Sequence, residues 1–172
     1  MRLMHVREAD TEDIEIVCRM RLEFVADHRG VLIADLPKGF VEQTRSFVER
    51  GQRTGSIRSW LAQDHGGFIG VVSMVLFDVP PLPEDPRTRQ GYIIDMYVGA
   101  ARRREGVGRA LFAACVASAP NLGVRRLFLR ATDAGRPLYL QAGFNPNDEW
   151  LELVLPGLEW GVGTAATDAT GC

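Results

Sequence analysis

The sequence predicts one α/β domain whose strands and helices do not alternate strictly. The chain has 172 residues, 46% of them apolar, which is enough for one sizeable core and argues against disorder. After about residue 56 the apolar residues change from a helical spacing to an alternating one. The predicted segments then follow the order β-α-α-β-β-β-α-β-α-β, which indicates a mixed sheet rather than a series of βαβ units.

The first part of the chain predicts a strand and two helices. Residues 2–7 alternate in polarity, as a strand does, and Asp10 or Thr11 can cap the helix that follows. The positions that recur at helical spacing in that first helix are Ile14, Val17, Cys18, the stem of Arg21, Phe24 and Val25. Pro37 suits the first turn of a second helix. One face of that second helix carries Phe40, Val41, Thr44, Phe47 and Val48.

The middle of the chain predicts three strands. Residues 57–63 and 68–77 alternate in polarity, and the "DHGG" between them is a good hairpin turn. Residues 78–90 contain four prolines and predict an irregular excursion. Residues 92–98, "YIIDMYV", predict another strand.

A glycine-rich turn follows, and the segments after it complete the domain. A helix is expected over about 107–119, a strand over 125–131, a short helix over 135–142 and a last strand over 149–155. Pro120 and Gly143 mark helix ends. The domain is therefore predicted to span 1–156, and the small, polar residues 157–172 predict a disordered tail.

Composition excludes several classes of protein. The formal net charge of −2 gives no positive field for nucleic acid, and no apolar stretch is long enough to cross a membrane. The N-terminus has no apolar leader segment. The three cysteines, Cys18, Cys115 and Cys172, are odd in number and widely spaced, which argues against a disulfide framework or a zinc site. We therefore expect a cytoplasmic protein that binds neither nucleic acid, membrane nor metal.

The turn in "VGAARRREGVGRALF" has the composition of an anion-binding site. A P-loop would need Lys and a hydroxyl after the second glycine, but Arg109 and Ala110 stand there. A dinucleotide fingerprint would need a third glycine where Leu111 stands. The pattern [RQ]-x-x-G-x-[GA] is matched by Arg103, Gly106 and Gly108. Backbone N–H groups at the start of a helix, uncovered at both glycines, can wrap a pyrophosphate, and Arg103 and Arg104 add positive charge.

A second motif lies downstream, and together the two motifs resemble the Gcn5-related N-acetyltransferase (GNAT) superfamily. "RPLYLQAGF" is similar to the family's A-x-x-L-Y-x-x-x-G-F, matched by Leu138, Tyr139, Gly143 and Phe144. Gly135 stands where the family usually has Ala, and Thr132 where it often has Asn. The resemblance runs from "VREADTEDI" to "LYLQAGF" and implies a single mixed, largely antiparallel sheet flanked by helices.

The resemblance also implies a function. A GNAT enzyme moves an acetyl group from acetyl-CoA to a primary amine of a small molecule or peptide, by direct attack in a ternary complex and without a metal. The strand 92–98 should offer backbone groups near Met96 and Val98 to the pantetheine arm. The expected cofactor-binding residues are Met96, Val98, Arg103, Arg104, Glu105, Gly106, Val107, Gly108, Arg109 and Thr132.

Tyr139 and Asp95 are the candidate catalytic residues. Tyr139 is expected to protonate the departing thiolate, although a tyrosine here could also be a core residue or orient the cofactor. Asp95 stands in an apolar strand, facing away from Met96 and Val98, and is the candidate general base. Its alternative is a structural pair with a neighbouring Arg or Tyr97, or binding of a substrate cation without proton transfer.

Other residues are weaker candidates. Glu149 and Glu152 are fallback bases, and the exposed Glu84 and Asp85 of the proline-rich segment could attract a cationic amine. Cys115 sits among apolar helix residues, which favours a core position over an acyl-cysteine. A rival class is an acetyl-CoA-binding module without catalysis. Acceptor identity and a homodimer are left open, since loops set specificity in such folds.

Overall fold

Residues 4–147 are the part of the chain that the computed structural model describes. Within them, five strands and four α-helices follow the predicted order. The strands are β1 (His5–Glu8), β2 (Ile57–Asp64), β3 (Gly67–Asp78), β4 (Arg89–Val98) and β5 (Arg126–Leu129). The helices are α1 (Ile14–Arg29), α2 (Lys38–Thr54), α3 (Val107–Ser118) and α4 (Arg136–Gln141). The strand expected at 149–155, the fallback bases Glu149 and Glu152, and the tail 157–172 lie outside the described residues.

The strands form one open, mixed sheet in the order β1-β2-β3-β4-β5. The first three pairings are antiparallel, and only β4 and β5 run parallel. This confirms the expected mixed, largely antiparallel sheet.

Helices cover both faces of the sheet. Leu61 and Val71 face α1 and pack with Val17 and Met20, and their chain neighbours Trp60 and Val72 pack in the α3 core. Successive side chains of a strand point to opposite faces of the sheet. Because helices cover both faces here, β2 and β3 carry apolar side chains on both of their faces. Close packing extends to the helix–sheet contact, where a Cβ added at Gly51 of α2 would lie 2.3 Å from Ile57 Cδ1.

α1 begins at Ile14, a few residues after Asp10 and Thr11, which the sequence predicts as its cap. Asp10 caps a single 3₁₀ turn, Thr11–Asp13, that precedes the α-helix. The Asp13 carboxylate accepts hydrogen bonds from the Asp10 N–H at 2.9 Å and from the Arg7 guanidinium at 2.5 and 2.8 Å. These bonds join β1 to the start of α1.

Several strand boundaries differ from the sequence prediction. The proline-rich excursion is shorter than 78–90, because Asp78 of β3 pairs with Arg89 of β4 and both strands extend into it. β5 is shorter than 125–131, because its pairing with β4 stops where Leu129 meets Ile93. The start of β4 cannot be predicted from hydrophobic residues, because it carries the polar residues Arg89 and Gln90. Hydrogen bonds to β3 determine where the strand begins.

Candidate functional site

A β-bulge interrupts β4 at Asp95. Ile94 pairs with Ser73 and Tyr97 pairs with Val71, so that Asp95 and Met96 together stand opposite Val72. Asp95 has φ +55°, in the left-handed region that few residues other than glycine adopt. An extra residue in one strand turns its backbone groups away from the ladder and re-aims the side chains, and such bulges are frequent beside active sites.

The same half of β4 has a free edge within the described residues. The parallel pairing with β5 covers only the stretch from Gln90 to Ile93, although β4 continues to Val98. Within the described residues, the backbone between Ile94 and Val98 therefore has no strand neighbour on the β5 side. Met96 and Val98, where contacts with the pantetheine arm are expected, lie on this unpaired stretch.

The glycine turn leads from this strand end into α3. Gly106 precedes the helix with φ +83°, and no side chain caps the helix start. The first intrahelical bond runs from the Ala110 N–H to the Gly106 carbonyl at 3.0 Å. Within residues 4–147, the N–H groups of Val107, Gly108 and Arg109 have no hydrogen-bond partner. Three free N–H donors at the positive end of a helix dipole are the arrangement that favours a bound anion.

Gly108 keeps that helix start uncovered. A Cβ at this position would lie 3.7 Å from Val98 Cγ2 and 3.8 Å from Met96 Cε, which are ordinary contacts. Packing therefore does not require glycine here. The absent side chain instead leaves the backbone donors accessible, beside the residues expected to contact the pantetheine arm.

Two arginines hold the turn in place. Arg102, with a side chain only 13% exposed, pairs with the buried side chain of Asp64 at the end of β2 and donates to Glu105 at 2.9 Å. Arg103 donates from Nε to the Val98 carbonyl at 3.1 Å and pairs with Asp27 of α1. Sequence reasoning did not single out Arg102 as a tether, since its partner lies on a distant hairpin.

The remaining basic residues of the turn are less constrained. Arg104 has φ +67°, and neither Arg104 nor Arg109 forms an ion pair within residues 4–147. The Arg109 guanidinium lies 3.4 Å from the Gln141 side-chain oxygen. Arg104 and Arg109 are thus the cations at this turn that a bound anion could recruit without breaking an ion pair.

Tyr139 lies on α4, across from α3. Its ring packs against Phe112 at 5.1 Å and Phe144 at 6.4 Å between ring centroids. Burial raises the pKa of its hydroxyl, so Tyr139 carries its proton at neutral pH. Gly135 stands where the family motif has Ala, and a Cβ there would lie 3.0 Å from Tyr139 Cε2, a tight contact in this structure. Thr132 accepts the Gly135 N–H at 3.2 Å and thereby shapes the start of α4.

Asp95 is buried and paired with Arg21 of α1, a hydrogen bond between residues 74 apart in the chain. Burial raises the pKa of the carboxyl above its ordinary value, and the Arg21 charge opposes that rise. The sequence assigned Arg21 to the apolar face of α1 by its stem. Its guanidinium lies 6.0 Å from the centroid of the Phe47 ring and reaches the bulge.

Two of the weaker candidates, Cys115 and Asp85, are a buried thiol and a carboxylate that is already paired. Burial raises the pKa of the Cys115 thiol to about 12, so it is not a thiolate at neutral pH. The Asp85 carboxylate is bound by Arg87 at 2.8 and 2.9 Å, and the pKa of that carboxyl falls to about 2. Within residues 4–147 no cluster of His, Cys, Asp or Glu could hold a metal ion, and no helix there could span a membrane.

A known protein family matches the region that contains these residues. The family model described as "Acetyltransferase (GNAT) family" matches residues 24–144, more than half of the chain. No curated protein matches the chain. The matched region includes the bulge, the glycine turn and Tyr139.

Solved structures resemble the whole described fold. A predicted acetyltransferase from Clostridium acetobutylicum, solved with acetyl-CoA, has a TM-score of 0.77 and 25% identity, with 88% of this chain and 96% of that chain covered. A GCN5-related N-acetyltransferase from Ralstonia eutropha has a TM-score of 0.72 and 25% identity over 88% and 99%. An aminoglycoside N-acetyltransferase in complex with CoA shares the fold, with a TM-score of 0.66 and 15% identity over 92% and 97%.

Proposed function

Because the chain belongs to the acetyltransferase (GNAT) family, we propose that it transfers an acetyl group from acetyl-CoA to a primary amine of a small molecule or peptide. The amine attacks the thioester directly, with both substrates bound. The observation that carries the proposal is the uncapped start of α3 beside the bulged, open end of β4.

The residues at that place fit acetyl-CoA. The three free N–H groups at the start of α3 suit a pyrophosphate, and Arg104 and Arg109 can add charge without losing an ion pair. The open edge of β4 at Met96 and Val98 suits the amide groups of a pantetheine arm. The Clostridium protein solved with acetyl-CoA and the aminoglycoside acetyltransferase solved with CoA support this co-substrate.

Transfer requires two proton movements. As the C–N bond forms and the C–S bond breaks, the departing thiolate takes a proton, and the protonated Tyr139 hydroxyl is the proposed donor. The attacking amine must lose a proton, and the Asp95 carboxylate is the proposed acceptor, directly or through water. Asp95 lies in the unpaired half of β4, and Tyr139 lies on α4.

One observation favours the alternative, an acetyl-CoA-binding module without turnover. The Asp95 side chain is only 3% exposed and its Oδ1 is already bound by Arg21. A carboxylate held in this way can act as a fixed structural charge instead of a base.

An acceptor screen separates the two functions. The protein is incubated with acetyl-CoA and a panel of a polyamine, an aminoglycoside, free amino acids, a peptide N-terminus and a lysine peptide, and free thiol release is followed. We expect release above the amine-free background with at least one class. Acetyl-CoA binding in a calorimeter without any amine-dependent release would support the binding module.

A further inference from the structure

The Arg21–Asp95 ion pair connects a helix on one face of the sheet to the bulge in its centre. Arg21 Nη1 donates to Asp95 Oδ1, and the Asp95 side chain is 3% exposed against 25% for Arg21. No other group within residues 4–147 bonds to the Asp95 carboxylate. The charge of Asp95 is therefore balanced by a single residue of another element.

A second contact, with an aromatic ring, also holds the Arg21 side chain in place. The guanidinium lies 6.0 Å from the centroid of the Phe47 ring of α2, at a distance where a cation is attracted to the ring face. Arg21 Nε is buried and has no hydrogen-bond partner within residues 4–147. An unpaired buried donor of this kind calls for an explanation, and a requirement for the guanidinium at Asp95 supplies one.

Few other charges face this carboxylate. From α1, Glu23 and Asp27 lie near Tyr97, and Arg103 of the glycine turn lies near the same ring. The β3 residues on either side of the bulge, Ser73 and Val71, carry no charge, and α2 contributes the Phe47 ring. α3 packs on the opposite face of the sheet. Arg21 is thus the dominant counter-charge.

We infer that Arg21 is a positioning residue for acetyl transfer, which keeps the Asp95 carboxylate ionised and fixed at the bulge and so sets the lower pH limit of the reaction. The inference rests on the proposed role of Asp95 as the base. A buried carboxylate without a counter-charge takes up a proton at far higher pH than an exposed one, and a protonated Asp95 cannot accept a proton from the amine.

The first experiment measures the charge of Asp95 without any turnover. The side-chain carboxyl carbons are labelled with ¹³C, and the Asp95 signal is assigned by its loss in Asp95→Asn. In Arg21→Met the titration midpoint should rise by about 1–3 pH units, the usual effect of removing an adjacent opposite charge. Arg19→Met removes an exposed arginine from the same helix, whose ion-pair partner among the described residues is Glu23, and should leave the midpoint unchanged.

The second experiment measures the pH profile of kcat/KM with an acceptor from the screen. The acidic limb should move to higher pH in Arg21→Met by the same amount as the NMR midpoint, and should stay in place in Arg19→Met. Arg21→Lys keeps the charge and should restore most of the parent profile. If Arg21→Met does not fold, the neutral Arg21→Gln replaces it in both experiments.

The outcomes separate this inference from the proposed function. An Asp95 midpoint that does not move in Arg21→Met overturns the inference, whether or not an acceptor is known. A midpoint that moves while the acidic limb stays in place also overturns it, since Asp95 would not govern the reaction. Failure of every amine in the screen counts against the proposed function, while the NMR titration still reports whether Arg21 holds the charge of Asp95.

Discussion

Tyr139 is held by packing on three sides while its hydroxyl has no hydrogen-bond partner within residues 4–147. The Phe112 and Phe144 rings fix its plane, and Gly135 lets it lie close against the backbone before α4. A ring held in this way needs no hydrogen bond from its hydroxyl to keep its place. The hydroxyl would therefore lose no hydrogen bond to residues 4–147 if it donated to a substrate atom, as the proposed function requires.

Tyr139→Phe tests the proposed proton donor. The substitution removes one oxygen and keeps the ring, so packing and acetyl-CoA affinity should persist. General acid–base catalysis contributes about 10²–10⁴-fold, and water can replace part of it, so we expect kcat to fall roughly ten- to a thousandfold. Steady-state kinetics and calorimetric binding of acetyl-CoA measure the two quantities separately.

Tyr92→Phe is the matched control, because Tyr92 stands on β4 opposite Phe128, within the paired half of the strand. It should leave kcat unchanged. Parent-like turnover in Tyr139→Phe would exclude proton donation by this hydroxyl. A raised KM with kcat intact would assign the hydroxyl to binding instead.

Among the elements, the glycine turn and α3 form the clearest candidate ligand site. The turn is tethered to three other elements: Arg102 pairs with Asp64 at the end of β2, and Arg103 contacts Val98 of β4 and Asp27 of α1. In the proposed function the arginines of this turn therefore divide into two groups. Arg102 and Arg103 fix the turn, and Arg104 and Arg109 are left for the ligand.

Gly108→Asp tests this element as the pyrophosphate site. An added carboxylate would stand beside the free N–H groups and repel a bound phosphate, at a cost of several kcal/mol or about 100-fold or more in Kd for acetyl-CoA. The fold should persist, because the new Cβ meets its neighbours at 3.7 Å or more and an acidic residue suits a helix start. Calorimetry measures Kd and thermal unfolding checks the fold.

The control is Gly39→Asp, which puts the same side chain into the first turn of α2, where a Cβ meets nothing within 4 Å. It should leave acetyl-CoA affinity unchanged. Equal affinity in Gly108→Asp and the parent would show that the pyrophosphate binds elsewhere. A loss of equal size in both variants would assign the effect to net charge alone.

Local patterns in the sequence predict most of the elements and the position of the turn. The helix order, the hairpin at "DHGG" and the start of α3 all follow from spacing within a few residues. The bulge at Asp95 cannot be predicted from local spacing, because it depends on which residues of β3 stand opposite β4. Arg21 and Arg102 were not predicted as partners of Asp95 and Asp64, since these pairs join residues 74 and 38 positions apart.

At the scale of the whole molecule, binding of acetyl-CoA should raise the free energy of unfolding. A ligand that binds only the folded state, at about 100 times its Kd, adds about 2.7 kcal/mol to the free energy of unfolding. For a chain of this size that corresponds to a rise in Tm of roughly 5–10 °C, measured by calorimetry or dye binding. We expect this rise with acetyl-CoA.

ATP at the same concentration supplies phosphates without the pantetheine arm and serves as the control. It should raise Tm far less than acetyl-CoA does. No shift with millimolar acetyl-CoA would contradict the proposed co-substrate. An equal shift with ATP would indicate a general anion site at the start of α3.

The strand order β1-β2-β3-β4-β5 has a consequence for how the chain folds. Strands β2, β3 and β4 are consecutive in the chain and pair antiparallel, so this meander can form from local contacts before slower, distant ones. The Arg21–Asp95 pair closes across 74 residues and should therefore form after the folding transition state. Substitutions of Arg21 should then accelerate unfolding and leave the folding rate nearly unchanged, so that the bulge at Asp95 is kept in place by the last contacts to form.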